Sequence, residues 1–229
     1  MHVGIVSYSK ASTEFLSKHD LDDANIQDLI AFCARVSNPS NQMNTETSEK
    51  LIKYLIKHSH WSPLEMVNAC LEIQTTRDIA HQIVRHRSFA FQEFSQRYAN
   101  PEEQGDMFEY SEARLQDTKN RQNSVEVENV ELHHQWLDAQ EEVATLAKEK
   151  YDWAIENGIA KELARKVLPE GNTKTTLYMN GTLRSWIHYI DLRSANGTQK
   201  EHMEIAIACA KVIANVFPLA KELFQDDEI

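Results

Sequence analysis

Cysteine is scarce in this chain, and Cys33, Cys70 and Cys209 are odd in number and far apart. That spacing excludes a disulfide framework and offers no zinc-ligand pattern, so reduced, buried thiols are expected. Glycine-rich phosphate loops are also lacking: neither G-x-G-x-x-G nor a Walker loop follows a strand. There is no His-Glu-x-x-His, and His58/His60, His81/His86 and His133-His134 are not the i, i+4 pairs of a helical zinc site. No metal is therefore expected. The longest apolar runs fall far short of a membrane span. Met1–Tyr8 lacks the basic and then apolar regions of a secretory signal. Basic charge is in deficit, with a formal net charge of −11 and a pI near 5.4, which argues against sequence-independent nucleic-acid binding. These absences point to a cytoplasmic protein with neither nucleic-acid nor membrane partners.

At 229 residues, 41% hydrophobic and 26% charged, the chain is long enough for a substantial core. It carries no internal repeat, low-complexity block or domain boundary. Residues 1–229 are expected to form a single α+β domain with a small mixed or antiparallel sheet flanked by long helices. Val3–Tyr8, Glu65–Thr75 and Thr173–Met179 read as strands. Helices are expected over Leu21–Ala34, from Thr45–Glu49 to a break at His58–Pro63, over Arg77–Arg87, Val125–Lys166 (interrupted at Asn157-Gly158), Leu183–Arg193 and Thr198–Val216. An acidic tail follows. Asn180-Gly181 reads as a turn, and Asn100–Asn123 as a long surface excursion, flexible or lid-like.

Against this acidic background, Arg85–Tyr98 gathers Arg85, His86, Arg87, Glu93, Ser95 and Arg97 between Phe89, Phe91 and Phe94. Arginine offers a planar fork of donors that never titrates, suited to one defined anion. Aromatics between the charges are costly on a purely solvated face, so a pocket is the better reading. Gln82, Arg85 and His86 share adjoining turns of the preceding helix, and Arg184, His188 and Asp191 follow i, i+4, i+7 on a later one. Trp186 reads as core. The residues themselves reach a site for a phosphorylated or otherwise anionic ligand. The rival reading is a nucleotide- or RNA-binding module that uses Arg85–Tyr98 as a basic-aromatic strip.

The string Arg85-His86-Arg87, seven residues, then Ser95 resembles the R-H-R-x7-S motif of the flavin-dependent thymidylate synthases (ThyX type), and the match continues through Arg97-Tyr98. Ala34-Arg35-Val36-Ser37 is similar to that family's flavin-phosphate segment. His60-Trp61-Ser62-Pro63-Leu64-Glu65 resembles its H-x-[ST]-P-x-E, and Ala164-Arg165-Lys166-Val167-Leu168-Pro169 its A-R-x-x-L-P. Leu183 through Arg193 resembles its C-terminal site helix. The segments fall in the family's order and cover nearly the whole chain.

The resemblance implies a ThyX-like fold and a homotetramer with shared active sites. It implies conversion of dUMP to dTMP with 5,10-methylenetetrahydrofolate as carbon donor and NADPH as reductant through FAD, with no cysteine nucleophile. Carried over, FAD contacts fall on Ser37, His60, Ser62, Glu65, Arg85, His86, Arg87, Glu93, Thr182, Arg184 and His188. Contacts to dUMP fall on Gln82, Arg85, Glu93, Ser95, Arg97, Arg165 and Arg193. Arg193 is implied to stabilise charge at the uracil N3 side as a preorganised cation. Two positions depart from the family pattern: Thr182 stands where many members have asparagine, and Gly197 where many have histidine.

Overall fold

The computed structural model describes residues 1–223. In chain order the elements are β1 (His2–Tyr8), α1 (Thr13–His19), α2 (Ile26–Ala34), α3 (Ser48–Lys57), β2 (Asn68–Thr76), α4 (Arg77–Ile83) and β3 (Ala90–Glu93). They continue with β4 (Arg114–Gln116), β5 (Ser124–Glu126), α5 (Val130–Glu156), α6 (Lys161–Ala164), β6 (Lys174–Thr182), α7 (Leu183–Ser194), α8 (Lys200–Ile213) and α9 (Ala220–Leu223).

Four strands form one antiparallel sheet in the order β1-β2-β6-β3, and β4 and β5 form a separate hairpin. Alternation decides which face is buried. Leu71 and Ile73 of β2 stand opposite Met179 and Leu177 of β6, all fully buried. Ile79 and Ile83 of α4, Trp186 and Ile190 of α7, and Ile205 of α8 close over them. The expected α+β architecture holds, with the sheet antiparallel throughout and its core on this face. A smaller core of Met107, Tyr151, Ala154 and Ala164 lies under α5 and α6. No helix among the described residues is long and apolar enough to cross a membrane.

Several boundaries differ from the sequence reading. The helix expected over Leu21–Ala34 starts only at Ile26, behind Asn25, whose side chain forms a capping box with Asp28, and a separate helix not read from the sequence, α1, precedes it and ends at Asp20 in the left-handed conformation (φ 53). The strand expected from Glu65 begins only at Asn68, because Glu65 closes a 3-10 turn, Ser62–Glu65, in which Pro63 occupies the first turn, where a missing N–H is tolerated. Helix α4 stops at Ile83, and α8 spans less than Thr198–Val216. Residues 125 and 126 belong to β5, whereas the break at Asn157-Gly158 is as expected, with Gly158 at φ 77.

Asn180-Gly181 is not a turn. Both residues continue β6, Asn180 pairing with Cys70 and Ala90, and Gly181 with Ala69. A Cβ on Gly181 would lie 2.3 Å from Phe89 Cδ1, so the glycine makes room for an aromatic ring. Strand β6 passes into α7 without a loop, Thr182 being both its last residue and the helix N-cap.

The Asn100–Asn123 excursion is anchored rather than loose. Gln140 of α5 bonds both backbone groups of Ser111, Lys174 N donates to Met107 O, and Arg114 pairs with Glu201. Cys33 and Cys70 are half-buried, and only Cys209 is fully buried. The acidic C-terminal tail lies outside the described residues.

Candidate active site

Arg193 sits in the last turn of α7, where a cation complements the helix dipole. Its Nε donates to His86 Nε2 at 2.9 Å, across 107 residues of sequence. A guanidinium can only donate, so His86 carries its proton on Nδ1 and is neutral. Burial, together with the Arg193 charge, lowers the His86 pKa to about 4. The rest of the Arg193 fork makes no hydrogen bond or ion pair among the described residues.

Gln82, one turn before His86, bonds Gln199 (2.8 Å) and His202 (3.3 Å). His202, fully buried on α8, is paired through its other nitrogen with the Tyr189 hydroxyl at 3.1 Å. Burial, with Arg193 and His86 adding to it, lowers the His202 pKa to about 3.

Both histidines are therefore held below the ordinary value of 6.5. The unfolded chain binds more protons than the fold below that value, so stability is fully present above pH 6.5 and falls as the pH drops toward 4. For the buried His202 the slope reaches at most about 1.4 kcal/mol per pH unit. Thermal midpoints recorded between pH 7 and 5 should decline; a flat profile would contradict the neutral assignment.

A second group lies where β3 leaves the sheet. Glu93 accepts from Thr175 Oγ1 (3.0 Å) and pairs with Arg77 (3.1 Å). Arg97 reaches Glu162 at 3.2 Å, and its neighbour Tyr98 is 78% exposed. Glu93, Ser95, Tyr98, Gln104 and Tyr178 line a cavity of about 560 Å³ over the open face of the sheet. Neither polar atom of the Gln104 amide has a partner there, although both are buried. Such an orphaned amide suits a polar ligand. Arg165, half-buried in a 3-10 turn after α6, makes no side-chain ion pair among the described residues.

The third group joins distant segments. Arg184 of α7 is ion-paired with Glu65, and the His188 and Trp61 rings meet at 4.4 Å. His60 is exposed and edge-on to Tyr54 at 6.3 Å. Tyr54 in turn lines a cleft of about 570 Å³ with Ser37, Asn38, Asn41 and Lys50. Arg35, only 7% exposed, shapes that cleft through Asn44 O and Thr47 Oγ1. Ser62 is exposed on the connecting turn. Arg85 and Arg87 are exposed, with no side-chain partner among the described residues.

Thr182 accepts from Ser185 N at 3.3 Å, so this departure from the family pattern caps α7. Gly197 has φ 95, a conformation that disfavours a side chain, beside the β4–β5 loop. Trp186 is core, fully buried, with its indole N–H on Ala69 O. No hydrogen bond or ion pair among the described residues links Gln82, His86 and Arg193 to Glu93, Ser95 and Arg97. Sequence reasoning missed Tyr189, Glu201 and His202, and placed Gln199 only in a segment, Asn196–Gln199, that shapes the mouth of the site. The available signal was helical period: His202 precedes Ile205, Ala206 and Cys209 on the inward face of α8.

A family model described as thymidylate synthase complementing protein (Thy1) matches residues 19–219. A relative from Paramecium bursaria Chlorella virus 1, named "Probable flavin-dependent thymidylate synthase", is 50% identical over 198 residues, 86% of this chain and 90% of its own. The flavin-dependent thymidylate synthase of Synechocystis sp. is 50% identical over 190 residues, 83% of this chain and 85% of its own. Among solved structures, the UMP/dUMP methylase PolB from Streptomyces cacaoi, bound with 5-Br dUMP, superposes with a TM-score of 0.76. The superposition covers 97% of this chain and 93% of that one at 23% identity, a likeness of fold.

Proposed function

The chain belongs to the Thy1 family, the flavin-dependent thymidylate synthases, and from that premise we propose that it methylates dUMP to dTMP, with 5,10-methylenetetrahydrofolate as carbon donor and NADPH as the electron source. The observation that carries this reading is Arg193, a cation held by neutral His86 with the rest of its fork uncommitted. The reaction balances: dUMP, methylenetetrahydrofolate, NADPH and a proton give dTMP, tetrahydrofolate and NADP⁺; the proton that leaves C5 of the pyrimidine for solvent is matched by a second one taken up, so the net uptake is one proton.

FAD is the cofactor. The donor chemistry fits it: Arg85 and Arg87 are exposed cations with no side-chain partner among the described residues of an acidic chain, and Ser37 and Lys50 line an open cleft. When bound, the flavin supplies the hydride chemistry that amino-acid side chains cannot. Ser37, His60, Ser62, Glu65, Arg85, Arg87, Thr182, Arg184 and His188 are the residues that would hold it, with His86 and Glu93 beside it. The Glu65–Arg184 pair and the Trp61–His188 contact would keep its walls in register.

For dUMP, Arg97, Arg165 and Ser95 would hold the phosphate, while Gln82 and Arg193 would meet the nucleoside. Arg193 polarises the ring by placing fixed positive charge where negative charge develops. No hydrogen bond or ion pair among the described residues links the two groups they fall in, which supports sites shared between subunits of a homotetramer. Leu132, Trp136, Val143, Leu146 and Trp153, exposed along one side of α5, support the same reading.

Arg97→Ala is expected to weaken dUMP binding roughly ten- to a hundredfold, since a charge-assisted bond to phosphate contributes about 1.5–3 kcal/mol, and to leave FAD uptake intact. Equilibrium titration with each ligand measures this. The decisive test of function is release of tritium from C5-labelled dUMP by the purified protein, omitting FAD, NADPH and the folate in turn. Release that depends on FAD and NADPH is expected. No release from flavin-loaded protein would overturn the reaction, and salt-sensitive binding of RNA without flavin uptake would favour the basic-aromatic strip instead.

A further inference from the structure

Gln82 lies midway along a hydrogen-bond chain, and its amide is held from both sides, by Gln199 at the nitrogen and by His202 at the oxygen. Arg114 of β4 holds Glu201, Nη2 to Oε1, at 2.6 Å. An ionised carboxylate can only accept, so Gln199 must turn its amide nitrogen toward Glu201, as it does at 3.1 Å. Gln199 Oε1 is then left facing Gln82, which must offer Nε2, at 2.8 Å. That turns Gln82 Oε1 toward His202 Nδ1 at 3.3 Å, and a carbonyl oxygen cannot donate, so His202 carries its proton on Nδ1. His202 Nε2 keeps its lone pair and accepts from the Tyr189 hydroxyl at 3.1 Å. Burial keeps Tyr189 protonated, its pKa well above the usual value.

Each link therefore permits one orientation of the next. An unrestrained amide could present either edge. In this chain the nitrogen of Gln82 is fixed on the side of Gln199, and only one of its two N–H groups is taken among the described residues.

We propose that Glu201, Gln199, His202 and Tyr189 form a positioning relay that locks the Gln82 side chain so that its uncommitted N–H is offered to the nucleotide substrate. The inference rests on Gln82 being a substrate-binding residue, as read above. The four relay members are positioning residues, since they act through Gln82. With the lock gone, the amide samples the flipped state and faces substrate acceptors with a carbonyl oxygen. One lost or mismatched bond of this kind corresponds to roughly a tenfold change in affinity.

The test uses flavin-loaded protein and compares wild type with Tyr189→Phe, His202→Leu and His202→Asn for dUMP Kd, FAD Kd, KM and kcat. Tyr189→Phe and His202→Leu should raise the Kd and KM for dUMP roughly tenfold, with FAD Kd and kcat changed less than about threefold. His202→Asn can place an amide N–H near the position of Nδ1 and should recover most of the loss. Nitrogen-15 spectra of labelled histidine should show His202 protonated at Nδ1 and bare at Nε2 at neutral pH. If His202→Leu does not fold, Tyr189→Phe, which removes one hydroxyl, carries the same comparison. Unchanged dUMP affinity in the folded variants, parallel loss of FAD, or no recovery in His202→Asn would each overturn the relay. Wild-type protein that binds no dUMP would instead overturn the substrate reading on which the relay rests.

Discussion

Arg193→Ala is expected to lower dTMP formation by roughly 10²–10³-fold in kcat, the range seen when one preorganised donor is removed from developing charge. Flavin uptake should survive, because among the described residues Arg193 makes no hydrogen bond or ion pair with Ser37, His60, Ser62 or Glu65, its one such partner being His86. The effect is large because the cation is already in place before substrate arrives. Its Nε is tied to His86 at 2.9 Å, and its stem is fixed in the last turn of α7. Arg193→Lys keeps the charge but not the fork, so it should recover only part of the rate. A second readout is independent of turnover. Arg193 is one cause of the depressed His86 pKa, which should rise from about 4 in Arg193→Ala. Near-normal turnover in that variant would remove Arg193 from the chemistry.

Gly181→Ala is expected to lower stability by about 2–3 kcal/mol, an overpacking cost, and the thermal midpoint by roughly 5–10 °C. The added methyl would meet Phe89 at 2.3 and 2.5 Å. That ring cannot swing aside cheaply, since it packs edge-on against Trp186 at 4.8 Å and near Tyr189 at 5.9 Å. On the other side β6 is held between β2 and β3. Phe89→Leu combined with Gly181→Ala should be less destabilised than the sum of the two single changes, because they share one space. A simple sum would show that the strain lies elsewhere. The same crowding bears on function, because Phe89 belongs to the segment that carries Arg85, His86 and Arg87.

Much of the fold was legible because alternation and helical period reveal which faces are buried. Strand β2 and helices α3, α5 and α7 come directly from spacing. Legibility failed where tertiary packing overrides a local signal. Asn-Gly favours a turn, yet two flanking strands and an aromatic ring hold Asn180-Gly181 extended. The stretch Asn100–Asn123 is polar enough to look loose, yet Gln140 and Glu201, far along the chain, tie it down. The site follows the same division. Motifs nominate the side chains proposed for it, but do not reveal that Glu65 meets Arg184 across 119 residues, nor that His86 accepts from Arg193. The buried relay was invisible because His202 carries no motif. Its meaning comes from what Gln199 and Gln82 are compelled to do.

The loopless junction between β6 and α7 limits how this molecule can change its preferences. Thr182 closes the strand and caps the helix, so no intervening residues can absorb a rotation. Arg184 and Arg193 are nine residues apart on one rigid rod, a separation along its axis of about 13 Å set by helical rise. A longer or bulkier nucleotide therefore cannot be accommodated by bending α7. Room must come from what stands beside the rod, above all the β4–β5 hairpin and the Ala195–Gln199 turn. Libraries aimed at new nucleotides belong in those two segments, with α7 left as the fixed ruler against which they are measured.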